Sequence, residues 1–114
     1  YRSFGHALRG LSTLVRTQHN ARIHLVAAAS VVTAGWFVEL GSSEWVLLTL
    51  TITLVFLAEA VNTALEFLAD AVMPIQHPLI GKAKDVAAAG VLLAAIASVV
   101  VGILLFGPRI AQAN

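Results

Sequence analysis

The chain has 114 residues, 59% of them hydrophobic and 11% charged, with no cysteine and a formal net charge of +1. Ordinary soluble domains carry about 25% charged residues, and one of this size buries only ~65% of its surface, so the composition excludes a freely soluble monomer. The hydrophobicity also excludes disorder, and the missing cysteines exclude disulfides and thiolate metal sites.

Phe4, Ala7, Leu8, Leu11, Leu14 and Val15 recur at three- and four-residue steps, while Arg2, Arg9 and Arg16 recur every seven. That pattern predicts an amphipathic helix over 1–20 lying on the membrane surface, its Arg residues toward lipid phosphates. No secretory signal peptide is expected, because the Arg-rich start leads into an amphipathic segment and not an apolar core. The first residue, Tyr1, is not Met, so the natural start is expected upstream.

Three apolar stretches follow, and crossing a bilayer takes roughly 20 such residues. They predict transmembrane helices over 22–40, 45–73 and 85–108, within a single domain over 1–114. The third is unambiguous, since Val86 to Phe106 is 21 residues without a charge. The first is short, with His24 and Glu39 near its ends. Four Arg before the first span, and Lys82 and Lys84 between the second and third, place those segments in the cytoplasm by the positive-inside rule. The Leu40–Glu44 turn then faces outward, with Trp36 and Trp45 as interfacial anchors and Arg109 as a minor exception.

The second span carries the chemistry. At about 100° per residue, Glu66 lies some 20° to one side of Glu59 and Asp70 some 20° to the other, so the three acids share one narrow face with Asn62 and Thr63 close by. A helix over 45–73 is about 43 Å long, against a hydrocarbon core of about 30 Å. The overhang puts Glu66 and Asp70 at the inner boundary and Glu59 roughly 10 Å deeper. Ionisable groups at that depth are costly and functional by default. Pairing with bases of neighbouring helices merely to fix packing is the bland alternative. A carboxylate face at the cytoplasmic rim suits Mg²⁺, which prefers hard oxygen ligands shared with substrate phosphates.

The third span opens Gly81-Lys82-Ala83-Lys84-Asp85, where Lys84 can neutralise phosphate and Asp85 can orient it or hold a water of the metal. A Lys pair beside a span is more often a topology signal. Farther along, Gly90, Ala94, Ser98 and Gly102 form a stripe of small residues that lets helices approach closely. Three short spans make a thin bundle, so an oligomer is expected.

The run Glu59-Ala-Val-Asn62-Thr-Ala-Leu-Glu66-Phe-Leu-Ala-Asp70, followed by His77-Pro-Leu-Ile-Gly-Lys-Ala-Lys84-Asp85-Val-Ala-Ala, closely resembles the prokaryotic diacylglycerol kinase/undecaprenol kinase family. Phe4-Gly-His6-Ala-Leu-Arg9-Gly10-Leu11 and Asn20-Ala-Arg22-Ile-His24-Leu fit that family's surface helix and the beginning of its first span. The resemblance covers nearly the whole chain. It implies an all-α, homotrimeric inner-membrane protein with a surface helix and three transmembrane helices per protomer. The implied reaction moves the γ-phosphoryl group of Mg–ATP to the hydroxyl of a lipid alcohol, undecaprenol by preference or diacylglycerol, in lipid or cell-envelope precursor recycling. The preference follows the His77-Pro-Leu turn and the Lys84-Asp85-Val-Ala-Ala start, which look closer to the undecaprenol kinase branch. No nucleic-acid partner is expected.

Carried over position by position, the resemblance makes Glu59 the catalytic base and Asn62 its supporting neighbour. It makes Glu66 the ligand of the metal that bridges the ATP phosphates, and Asp70 a further acidic residue of the nucleotide site. Ile75, Gln76 and His77 fall at nucleotide contacts, Lys84 and Asp85 at phosphate and ribose contacts, and His6 where a side chain meets the adenine. The chain departs from the family at Gln18, where a Glu usually supplies a second metal ligand. An amide oxygen still coordinates but brings no charge, so Gln18 either serves with lower metal affinity or marks a weakened kinase. His19, His24 and His77 fit no common zinc spacing, and His19 and His24 are expected to be interfacial. Two other classes compete: a small proton-coupled transporter, whose further acids would lie outside any translocation path, and a non-catalytic membrane subunit.

Overall fold

The computed structural model describes residues 2–73, 75 and 77–113. The chain forms four helices: α1 over Arg2–Thr17, α2 over His19–Phe37, α3 over Ser42–Val72 and α4 over Pro78–Ala113. Two of them, Ser42–Val72 and Pro78–Gln112, are long and apolar enough to cross a membrane. α2 has 19 residues, about 28 Å at 1.5 Å per residue.

The helix boundaries differ from the sequence reading, and each difference has a local cause. α1 and α2 meet at Gln18, whose backbone is extended. The guanidinium of Arg22 closes this corner, donating to the carbonyls of Val15 at 3.0 Å and Arg16 at 2.8 Å. Those carbonyls end α1 and lack partners within it, so a cation placed there satisfies them and the helix dipole together. α2 therefore starts at His19, three residues before the expected 22.

At its other end α2 stops at Phe37 and not at residue 40. Glu39 adopts a left-handed backbone, φ 58°, and Leu40 N–H reaches back to Gly35 O at 3.1 Å while Glu39 N–H reaches Trp36 O at 3.3 Å. This is the Schellman arrangement, which ordinarily places glycine at the left-handed position. Leu40 folds back against Gly35 and is buried. A Cβ on Gly35 would stand 2.7 Å from Leu40 Cδ1 and 3.0 Å from the Trp45 ring, so a larger residue there would displace the Leu40 side chain.

α3 begins beside Gly41, whose N–H donates to Glu44 Oε1 at 3.0 Å. The same carboxylate receives both terminal nitrogens of Arg109 at 2.8 Å, which ties the start of α3 to the last turns of α4. Around this end Leu40, Leu48 and Leu105 form the buried cluster, flanked by Val31, Trp45, Ile52, Val101 and Phe106. α4 starts at Pro78 and not at residue 85. Proline suits the first helical position because its missing N–H would have no partner there, and His77 Nδ1 accepts from Leu79 N–H at 3.1 Å to cap the new helix. Lys82, Lys84 and Asp85 thus lie on the first turns of a helix. α4 also continues through Pro108 to Ala113.

α3 and α4 form an antiparallel hairpin, and most of their large apolar side chains stay exposed, among them Leu50, Leu54, Leu92, Val99 and Ile103. Of the small-residue stripe, Ala94 is buried, but a Cβ on Gly90 or Gly102 would meet nothing within 4 Å. Within this chain, Gly90 and Gly102 do not mediate a close helix approach.

Candidate active site

The end of the hairpin where α3 passes into α4 gathers polar side chains, whereas the opposite end holds the Leu40–Leu48–Leu105 cluster and the Glu44–Arg109 pair. Glu59 is only 2% exposed, and Thr63, one turn on, is also buried. Three polar atoms here have no hydrogen-bond partner: Glu59 Oε1, Asn62 Oδ1 and Thr63 Oγ1. A buried polar atom left unpaired costs about 1–3 kcal/mol, which makes these three atoms candidates for contact with a substrate. Thr63 sharpens the point. A helical threonine commonly bonds the carbonyl four residues back, as Thr51 does to Leu47 O at 2.7 Å, but Thr63 makes no such bond.

His24 on α2 approaches this group. Its Nε2 lies 3.3 Å from Glu59 Oε1, within ion-pair distance but off the direction of a hydrogen bond, which is why Oε1 remains unpartnered. Asn62 Nδ2 donates to Glu66 Oε1 at 3.4 Å. Glu66 is half-buried, and among the described residues no basic side chain stands at ion-pair distance from it. One turn farther, Asp70 Oδ1 receives Lys84 Nζ at 2.6 Å across the hairpin. The carboxylates therefore divide: Asp70 is paired with a lysine, Glu59 touches an imidazole, and Glu66 holds only an amide.

Asp70, Ile75, His77 and Lys84 line one cleft of about 420 Å³ between the end of α3 and the start of α4, with Met73, Pro78, Ile80 and Gly81 completing its wall. Four of the residues expected at the nucleotide are thus brought together. Asp85 is exposed beside Lys84 and does not line the cleft. His6 is exposed on α1, its Nδ1 3.4 Å from Arg9. Gln76 lies outside the described residues. Gln18, at the α1–α2 corner, donates through Nε2 to Thr17 Oγ1 at 3.1 Å, which leaves its amide oxygen clear of that bond. A second groove, about 520 Å³ and almost wholly apolar, runs between α1 and α3 along Gly10, Leu11, Leu14, Ala60, Thr63 and Phe67.

Among the described residues no three His, Asp or Glu side chains cluster as a self-sufficient metal site. That fits Mg²⁺, which is commonly held by one or two carboxylates together with substrate phosphates. Glu66, a carboxylate with no cation at ion-pair distance among the described residues, has the chemistry for this role.

Sequence reasoning missed two residues. His24 was expected to be merely interfacial, and Thr63 was seen only as a neighbour of the acids. Thr63 was detectable, because it shares the helical face of Glu59. No spacing rule reaches His24, since its contact with Glu59 depends on how α2 docks on α3.

Comparison with known proteins bears on this geometry. The sequence profile of the family described as Prokaryotic diacylglycerol kinase matches residues 5–106. The chain is 39% identical to the undecaprenol kinase of Bacillus subtilis over 110 residues, covering 96% of this chain and 89% of that protein. It is 45% identical over 101 residues to the diacylglycerol kinase of Synechocystis, covering 88% of this chain and 58% of that longer relative. It is 30% identical over 96 residues to the diacylglycerol kinase of Escherichia coli K12, covering 84% of this chain and 79% of the relative.

Proposed function

The chain belongs to the prokaryotic diacylglycerol kinase family, and from that premise we propose that it transfers the γ-phosphoryl group of ATP to the hydroxyl of a membrane lipid alcohol. The lipid kinase activity follows from the family. The finer reading, with undecaprenol as preferred acceptor ahead of diacylglycerol, is supported by the His77-Pro-Leu turn and by similarity to the Bacillus relative across nearly all of both chains.

One observation carries the mechanism: a buried Glu59 with an unpartnered oxygen, on the helix face that continues to Glu66 and Asp70. Phosphoryl transfer depends on positioning and on neutralising charge, and here the two substrates approach from different phases. In this reading the lipid lies along the apolar α1–α3 groove with its hydroxyl at the unpaired Thr63 and Glu59. ATP enters the α3–α4 cleft, where Lys84 leaves Asp70 for the phosphates and His77 and Ile75 border the nucleotide. Glu59 accepts the hydroxyl proton as the lipid oxygen attacks Pγ and the bond to the β-phosphate oxygen breaks. Asn62 orients Glu66 through the amide bond between them. Glu66, with Gln18 as second ligand, would hold the Mg²⁺ that screens the phosphate charge and favours the leaving ADP. His6 and Asp85 serve the adenine and ribose.

The assembly in this reading is a homotrimer in the cytoplasmic membrane, with α1 on the inner surface and α2, α3 and α4 spanning. It is supported by the apolar side chains that α3 and α4 leave uncovered and by the basic residues at the cleft end. Glu59→Gln tests the mechanism. Positioned proton transfer contributes about 10²–10⁴-fold, so turnover should fall by at least about a hundredfold with the assembly intact by size-exclusion chromatography. A variant retaining most activity contradicts the base assignment.

A further inference from the structure

After each transfer the proton on Glu59 must leave, and the side chain carrying it is almost wholly out of water, 3% exposed. The only titratable group at contact distance among the described residues is His24, whose Nε2 stands 3.3 Å from Oε1 and whose side chain is 25% exposed. The imidazole is thus the more accessible member of the pair.

Its surroundings contain no competing ionisable group. His24 borders a small cavity of about 110 Å³ between α2, α3 and α4, where α3 contributes Thr51, Val55 and Phe56, and α4 contributes Ser98 and Phe106. None of these residues titrates. The nearest base along α2, Arg22, has its guanidinium committed to the carbonyls of Val15 and Arg16. On α3, Glu66 is engaged with Asn62 and Asp70 with Lys84.

We propose that His24 is a positioning residue for Glu59, holding its carboxylate toward the acceptor lipid and taking the proton from it after each phosphoryl transfer. The inference rests on the reading of Glu59 as the base. The step balances. The lipid O–H bond breaks as the O–Pγ bond forms, ADP departs with the electrons of the broken phosphoanhydride bond, and the proton goes to Glu59. It then passes from the Glu59 carboxyl to His24 Nε2, and the resulting imidazolium releases a proton to water. Carboxylate and neutral imidazole are restored. A His–carboxylate pair is well suited to such shuttling because imidazole both accepts and donates near neutral pH.

Three variants of the full chain, His24→Gln, His24→Ala and Glu59→Gln, assayed in lipid–detergent micelles with ATP across a pH series, test the inference. His24→Gln should lower kcat by about tenfold or more, within the range of positioned proton transfer, while leaving KM for ATP and lipid unchanged and flattening the rise of kcat with pH. Added imidazole should restore His24→Ala several-fold and leave Glu59→Gln dead. Wild-type kcat and pH profile in His24→Gln, alongside a dead Glu59→Gln, overturns the role of His24 and leaves Glu59 as base. A slowed His24→Ala that imidazole does not restore also overturns it, since the histidine would then be only a packing residue. An active Glu59→Gln overturns the underlying reading itself.

Discussion

Each side chain of the site is distinguished by what it lacks or holds. Glu59 Oε1, Asn62 Oδ1 and Thr63 Oγ1 lack hydrogen-bond partners among the described residues, Glu66 has no cation at ion-pair distance among them, and Asp70 and Lys84 hold each other at 2.6 Å. In the proposed mechanism the unpaired groups receive the acceptor lipid, and phosphate competes with Asp70 for the lysine. Gln18 stands apart because it brings a neutral oxygen to the corner where the family usually places a carboxylate. Gln18→Glu should therefore lower the Mg²⁺ concentration for half-maximal rate several-fold, because a charged oxygen attracts a hard cation more strongly than an amide does. An unchanged Mg²⁺ requirement would show that residue 18 does not ligate the metal. That Glu59, Asn62, Glu66 and Asp70 share a face was legible in the sequence because one helix, α3, carries all four. His24 was not, because its contact is made across two helices.

At the level of the helices, the sequence revealed where apolar stretches lie better than where they end. Arg22 starts α2 early by capping α1 through its side chain, and Pro78 starts α4 early because His77 caps it. The end of α2 was hidden because its left-handed position is filled by Glu39 and not glycine. A non-glycine residue there costs roughly 1 kcal/mol. Glu39→Gly should accordingly stabilise the protein by roughly 0.5–1 kcal/mol, read as a rise in the midpoint of thermal unfolding in detergent at unchanged specific activity. A lowered midpoint would mean that the carboxylate of Glu39 contributes more than its backbone strain costs.

For the whole molecule, one end of the α3–α4 hairpin is clamped by Glu44, Arg109 and the Leu40–Leu48–Leu105 cluster, and the candidate site lies toward the other end of the same hairpin. This arrangement also gives Arg109 its partner, because Glu44 receives it through two bonds of 2.8 Å. The chain measures 55 × 36 × 21 Å, longer than a hydrocarbon core of about 30 Å, and the proposed mechanism puts the site at the boundary between lipid and water. The central claim is transfer of the ATP γ-phosphoryl group to a lipid hydroxyl at that boundary. The direct measurement is incorporation of labelled γ-phosphate into lipid in mixed micelles containing Mg–ATP, with undecaprenol and diacylglycerol offered side by side. The account predicts labelled phospholipid product, with undecaprenol the faster acceptor. No labelled lipid from folded, assembled protein would contradict it.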